Sequence, residues 1–101
     1  MKKMQLTIYL NEADRIGDMP LHEDVVRRLL QFDIAGATVT PGLMGYGKHG
    51  KVHRKRLFGV SDDRPVVITA VDDEARIRPI LTELRAIVME GLITLHELEV
   101  V

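Results

Sequence analysis

Between Gly42 and Gly50 the chain sets four glycines, Gly42, Gly45, Gly47 and Gly50, into nine positions. Residues without a Cβ reach positive φ cheaply and let a ligand come close to the backbone. The run is entered through Gly36-Ala-Thr-Val-Thr, in which Thr38 and Val39 are good strand formers. Pro41 requires that strand to be bulged, interrupted or at a sheet edge, because it brings no N–H to a ladder. Directly after comes Lys48-His-Gly-Lys-Val-His-Arg-Lys-Arg56, with five fixed positive charges and two histidines in nine residues. A glycine-dense strand end feeding a basic loop offers exposed N–H groups and cations to an anion. A twisted strand end followed by a solvated loop fits the same residues.

The flanking segments repeat one pattern on either side. Met4, Leu6, Ile8 and Leu10 alternate with Gln5, Thr7 and Tyr9, a strand with one strongly apolar face. Asn11–Asp18 is polar, and Pro20 fits a first helical turn. Leu21, Val25, Val26, Leu29 and Leu30 then form a helical stripe, with Glu23 and Asp24 early and Arg27 and Arg28 late, as the helix dipole favours. The helix is expected to fade at Gln31–Asp33. Beyond the basic loop, Leu57-Phe58 reads as a short strand and Ser61-Asp-Asp-Arg64 as a turn. Pro65–Val71 is apolar on both faces, which predicts a central strand buried on two sides. Asp72-Asp73-Glu74 reads as the cap of a second helix, whose stripe is Ile77, Ile80, Leu81, Leu84, Ile87 and Val88. Pro79 either kinks this helix or delays its start. Gly91 fits the C′ position, and Leu92–Val101 a last strand.

The order β-α-β-β-α-β predicts an α+β, ferredoxin-like domain over residues 1–101, a four-stranded antiparallel sheet with two helices on one face. The other face of the sheet then calls for cover, which oligomerisation supplies.

The formal net charge of -1 gives no global pull toward nucleic acid or membrane. With two Phe, two Tyr and no Trp, the chain lacks the aromatics that stack bases on a ferredoxin-like sheet, so no nucleic acid is expected as partner. Without cysteine there are no disulfides or thiolate metal sites. His49 and His53 have helical metal-ligand spacing, but the glycines around His49 argue against a helix and the basic surroundings against a cation. His22 and His96 read as structural or surface residues. The acidic doublets at 62–63 and 72–73 read as solvated turns and caps, and no nucleophile stands with a base, so no enzyme is expected. No apolar h-region follows Met1 and no apolar run has membrane length, so a cytoplasmic protein is expected.

The order of elements, together with Gly-Ala-Thr-Val-(x)2-Gly-(x)2-Gly-Tyr-Gly at 36–47, resembles the DUF190 family of PII-like proteins. Ile8-Tyr-Leu, Glu12, Asp14-Arg15, Pro20-Leu21 and the closing Glu90-Gly-Leu-Ile-Thr94 fit the same family. A looser similarity runs to the PII nitrogen-regulatory signalling proteins. The resemblance implies a PII-like homotrimer with an adenine nucleotide (AMP, ADP, ATP or cyclic AMP) as effector in clefts between subunits, and no required cofactor. It implies signalling through a T-loop equivalent, residues 48–60, to a protein target, of which a membrane transporter or channel is one candidate. Carried over, Thr38 matches a strand threonine near the adenine, Gly45 and Gly47 the glycine pair facing the nucleotide, and Lys48 and His49 the positions just beyond. Lys51 and Arg54, with Lys55 and Arg56, fall in the loop equivalent. The chain departs from the PII pattern in one extra residue between Val39 and Gly45, a shorter loop, and Met89-Glu90-Gly91-Leu92 where PII proteins carry a phosphate-gripping lysine. An anion in place of a cation beside a triphosphate weakens its binding, so fewer phosphates or weaker binding are expected. The alternative is a ligand-free trimeric scaffold whose basic loop docks on an acidic partner.

Overall fold

The first strand, β1 (Lys2–Asn11), buries Leu6, Ile8 and Leu10 on one face and so fixes which side of the sheet becomes the core. The computed structural model describes residues 1–47, 50, 52–54 and 64–101, with only the backbone of 53 and 54. After β1 a two-residue ladder joins β2 (Arg15–Ile16) to β3 (Met19–Pro20) around Gly17, whose φ is +58°. Helix α1 (Leu21–Gln31) follows and buries Leu21, Val25 and Leu29. Pro20 is its N-cap, with φ -57° and ψ 135°, rather than a residue of the first turn. The extended ψ lets Pro20 close the small ladder and open the helix at once.

Helix α1 ends on Asp33, whose φ of 58° places a non-glycine residue in the left-handed region. The N–H of Ile34 donates to the Leu29 carbonyl and that of Asp33 to the Leu30 carbonyl. This is the Schellman pattern, with buried Ile34 supplying the apolar contact that accompanies it.

Strand β4 (Ala37–Pro41) leads to a second short ladder, β5 (Met44–Gly45) with β6 (His53–Arg54), then to β7 (Pro65–Asp72). The expected strand at Leu57-Phe58 and most of the Ser61–Arg64 turn lie outside the described residues. The second helical segment is α2 (Glu74–Ile77), a 3-10 turn at Arg78–Ile80, and α3 (Leu81–Ile87); β8 (Leu92–Glu99) closes the chain. Pro79 sits in the 3-10 turn, where its missing N–H breaks the i→i−4 ladder without ending the segment. Ile77, Ile80, Leu84 and Val88 all stay fully buried across the interruption.

The sheet order is β4-β7-β1-β8, every pair antiparallel, with Leu6 opposite Ala70 and Leu95, and Ile8 opposite Ile68 and Ile93. Both helical layers pack on this face, which gives the ferredoxin-like α+β sandwich. Among the described residues no helix is long and apolar enough to cross a membrane.

Three further expectations meet the single chain, and those for Gly91 and the acidic triplet are corrected. Strand β7 is central but buried on one face only, through Val66, Ile68 and Ala70, while Pro65, Val67, Thr69 and Val71 on the other face stay partly exposed. No described layer covers that outer face. Gly91 is not the C′ residue, since α3 ends at Ile87 with Val88 as its C-cap. It serves close packing instead, because a Cβ there would run into the Tyr9 carbonyl oxygen and lie 2.7 Å from Val88 Cγ1. The acidic triplet does not cap α2 through its side chains. Asp73 is the N-cap but makes no side-chain cap bond, and its carboxylate accepts from Lys3 Nζ at 2.7 Å.

Candidate functional site

Strand β4 is a sheet edge, and its register decides which groups it offers outward. The Gly42 N–H donates to the Pro65 carbonyl at 2.7 Å, in line with the pairs Thr40–Val67 and Thr38–Thr69. Hydrogen-bonded pairs alternate in an antiparallel ladder. Thr38 and Thr40 therefore turn their backbone groups toward β7, and Ala37, Val39 and Pro41 turn theirs to the free edge. Pro41 has no N–H to leave unpaired there, which is why the strand accepts it.

The outer face carries a row of threonines through all four strands, Thr38–Thr69–Thr7–Thr94. Thr7 in the middle is buried, and its Oγ1 accepts from Gln5 Nε2 at 3.2 Å. At the start of β4 the row opens into a groove of about 530 Å³, lined among others by Gln5, Ala35, Gly36, Thr38, Thr69 and Val71. In the single chain the groove is shallow and largely open to solvent. Among the described residues the lining offers hydroxyls, an amide, backbone and methyls, with no ionisable side chain. Such a surface suits a flat neutral heterocycle. It cannot by itself neutralise phosphate, whose charge has to be met from outside the groove.

Of the residues expected at the site, Thr38 lies in the groove. Gly45 does not line it; it sits in β5, beyond Pro41 at the other end of β4. The four strand steps from Thr38 to Gly42 alone span about 13 Å. Gly42 and Gly45 back onto Pro65, their virtual Cβ atoms 2.8 and 3.4 Å from its Cγ. Among the described residues nothing lies within 4 Å of a Cβ at Gly47, whose carbonyl accepts the Gly50 N–H at 2.9 Å. Lys48, His49 and Lys51, with Lys55 and Arg56, lie outside the described residues. Arg54 is described through its backbone, which pairs with Met44.

Gln5, Thr69, Val71 and the buried Asp72 were not singled out for the site from sequence. Gln5 is one of three non-core residues alternating along β1, and Thr69 is the one polar residue inside an apolar run. Neither pattern says that they meet Thr38; only strand pairing does. His22 keeps a buried Nδ1 with no hydrogen-bond partner among the described residues, and His96 is exposed on β8. Among the described residues no group of three or more His, Cys, Asp or Glu is arranged to hold a metal.

Residues 3–100 match the model of the DUF190 family (Uncharacterized ACR, COG1993). A UPF0166 protein of Aquifex aeolicus is 32% identical over 101 residues, covering 100% of this chain and 95% of that protein. Two solved structures of CPII from Thiomonas intermedia K12 share the fold, each covering 99% of this chain and 89% of CPII. One, a nitrogen regulatory PII-like protein bound to ADP, AMP and bicarbonate, has a TM-score of 0.75 at 23% identity. The other, bound to ADP and bicarbonate, has a TM-score of 0.72 at 25% identity. With a family model spanning nearly the whole sequence and a PII-like fold beneath it, the chain belongs to the DUF190 family.

Proposed function

We propose that residues 1–101 form one PII-like regulatory domain that works in the cytoplasm as a homotrimer and binds a small anionic effector between subunits, foremost an adenine nucleotide. The observation that carries this reading is the neutral, hydroxyl-lined groove at Thr38, in a chain that shares its fold with a protein solved in complex with ADP. In this reading the groove takes the heterocycle. Lys48, His49, Lys51 and Arg54, or a neighbouring subunit, meet the phosphates, with Gly45 and Gly47 allowing the close approach. The basic loop 48–60 then passes the ligand state to a protein target, a membrane transporter or channel being one candidate. Ligand shifts the loop between states by its differential affinity for them. No bond is made or broken, so the protein acts as a sensor and not as an enzyme.

A thermal-shift panel of AMP, cyclic AMP, ADP and ATP, with and without Mg²⁺, tests this. A ligand that binds only the folded state raises the melting temperature by mass action. The expected result is a rise with AMP or ADP, a smaller one with ATP, and loss of the rise in Lys48→Ala. A flat panel at millimolar ligand sinks the reading. One observation then favours the alternative: Leu43 (94% exposed), Met44 and Tyr46 present apolar side chains beside the basic run. A ligand-free trimer docking through that stretch on an acidic partner would leave the panel flat.

A further inference from the structure

Asp72 is a buried carboxylate at the end of β7, 7% exposed, with both oxygens engaged by backbone N–H groups. Its Oδ1 accepts from the N–H of Asp73 at 2.7 Å. Its Oδ2 accepts from the N–H of Ala35 at 2.9 Å, thirty-seven positions away in the chain. The first bond belongs to the turn into α2. The second ties down the connection between the cap of α1, which ends at Ile34, and the first residue of β4, Ala37. That connection is one wall of the groove, because Ala35, Gly36 and Ala37 all line it. Val71, the residue before Asp72, lines it from the facing strand.

We propose that Asp72 is a positioning residue for the groove: by clamping the Ala35 N–H it fixes the wall formed by Ala35 and Gly36 relative to Gln5 and Val71. The local chemistry calls for such a clamp. Among the described residues nothing lies within 4 Å of a would-be Cβ at Gly36, so their packing does not hold it. A glycine three residues after the left-handed Asp33 leaves the segment conformationally broad unless a strong bond pins it. A carboxylate accepting two N–H bonds supplies one, since charge-assisted bonds are about twice as strong as neutral ones. A buried carboxylate is otherwise a costly choice at a strand end facing an apolar core. Asp72 touches no ligand in this account and acts through residue 35. The ligand half of the inference rests on the groove being the effector site.

Two readouts on the full chain separate the clamp from that reading. Asp72→Asn keeps one acceptor oxygen and turns an NH₂ toward the second donor, so it can satisfy Asp73 or Ala35 but not both. In the ligand-free protein, amide exchange at Ala35 should accelerate at least about tenfold, as for an opened local bond, while Ile8 and Ile68 keep their protection. In the second readout, ADP affinity should fall roughly fivefold or more, the lower range of coupling between a ligand and a residue it does not touch. Val88→Ala is the control, since it creates a core cavity far from the lining and should lower stability without changing affinity. Asp72→Ala, which removes both acceptors together with the buried charge, carries the same readouts beside the Asn variant. Unchanged exchange at Ala35 in both the Asn and the Ala variant overturns the proposal. So does an ADP affinity that stays at the wild-type value, as expected of the control. If the wild type binds no adenine nucleotide, the effector reading fails on its own, and Ala35 exchange alone decides whether Asp72 fixes the wall.

Discussion

Gly91 and Gly36 are both glycines beside strands, yet the structure asks opposite things of them. A Cβ on Gly91 would strike the Tyr9 carbonyl oxygen and lie 2.7 Å from Val88 Cγ1 and 2.9 Å from Leu10 Cδ2. The neighbours are backbone and a fully buried valine, neither free to move aside. Gly91→Ala should therefore destabilise the fold by about 1–3 kcal/mol, the usual cost of overpacking, read from the denaturant midpoint. Gly36→Ala meets nothing and needs no positive φ, so stability should stay within about 0.5 kcal/mol. Any loss of nucleotide binding in that variant then reports on the groove itself. Asp73 offers a second test at this scale. Its carboxyl is held below the ordinary carboxylate range, first by the hydrogen bond from Lys3, then by the Lys3 charge and that of Arg76. A lowered folded pKa stabilises above the unfolded value and loses that contribution as pH falls through the folded one. Lys3→Ala should bring the Asp73 titration, followed by carboxyl NMR, back up toward its ordinary value and flatten this acid dependence. An unshifted Asp73 would mean that the Lys3 contact is not populated in solution.

The second helical segment shows what an element needs in order to survive an interruption. Ile77, Ile80, Leu84 and Val88 are spaced three, four and four apart, so the stripe keeps one face through the 3-10 turn that Pro79 imposes. Ile80 lies inside that turn and is fully buried. Ile80→Ala should cost about 2–5 kcal/mol by chemical denaturation, as for any core truncation that leaves a cavity. A cost near zero would show that the turn does not pack. Elements of this kind were legible in the sequence: the alternation of β1 and the stripes of both helices follow from periodicity, which a packed core enforces. Elements without a period were not. The β2–β3 and β5–β6 ladders are two residues per strand, too short to carry one. Gly91 was misread because a glycine after a helix serves a left-handed cap and a close approach equally well. Asp72 was read as a helix cap because the acceptor role of its second oxygen is set by a partner thirty-seven positions away. Of the groove's lining residues, Thr38 was named in advance through family resemblance. Its neighbours Thr69 and Gln5 were not, because only register brings three strands to one groove.

At the scale of the whole molecule, one side of the sheet has a core and the other has none among the described residues. The outer face carries Thr40–Val67–Tyr9–Leu92 as one cross-strand row and Thr38–Thr69–Thr7–Thr94 as the next. Tyr9 is 45% and Leu92 59% exposed, so the first row is apolar surface left open by the single chain. A face of this kind on a central strand is stable when a second layer covers it, and copies of the same chain are the cover the proposed trimer supplies. Val67→Asp tests this, since it sets a carboxylate in the middle of that row while leaving the helix side of β7 unchanged. Light scattering after size exclusion should give three times the 11.4 kDa chain mass for the wild type and a single chain for the variant. A wild-type monomer removes the trimer, and a trimeric variant moves the interface off this face. The groove opens on the same face through Thr38, Thr69 and Gln5, and its described side chains bring no charge for a phosphate. If the missing cations come from a neighbouring subunit, the monomeric variant should lose nucleotide binding together with assembly. If binding survives in the monomer, the cations come from the chain's own basic loop, and loop and groove form one site within a single subunit.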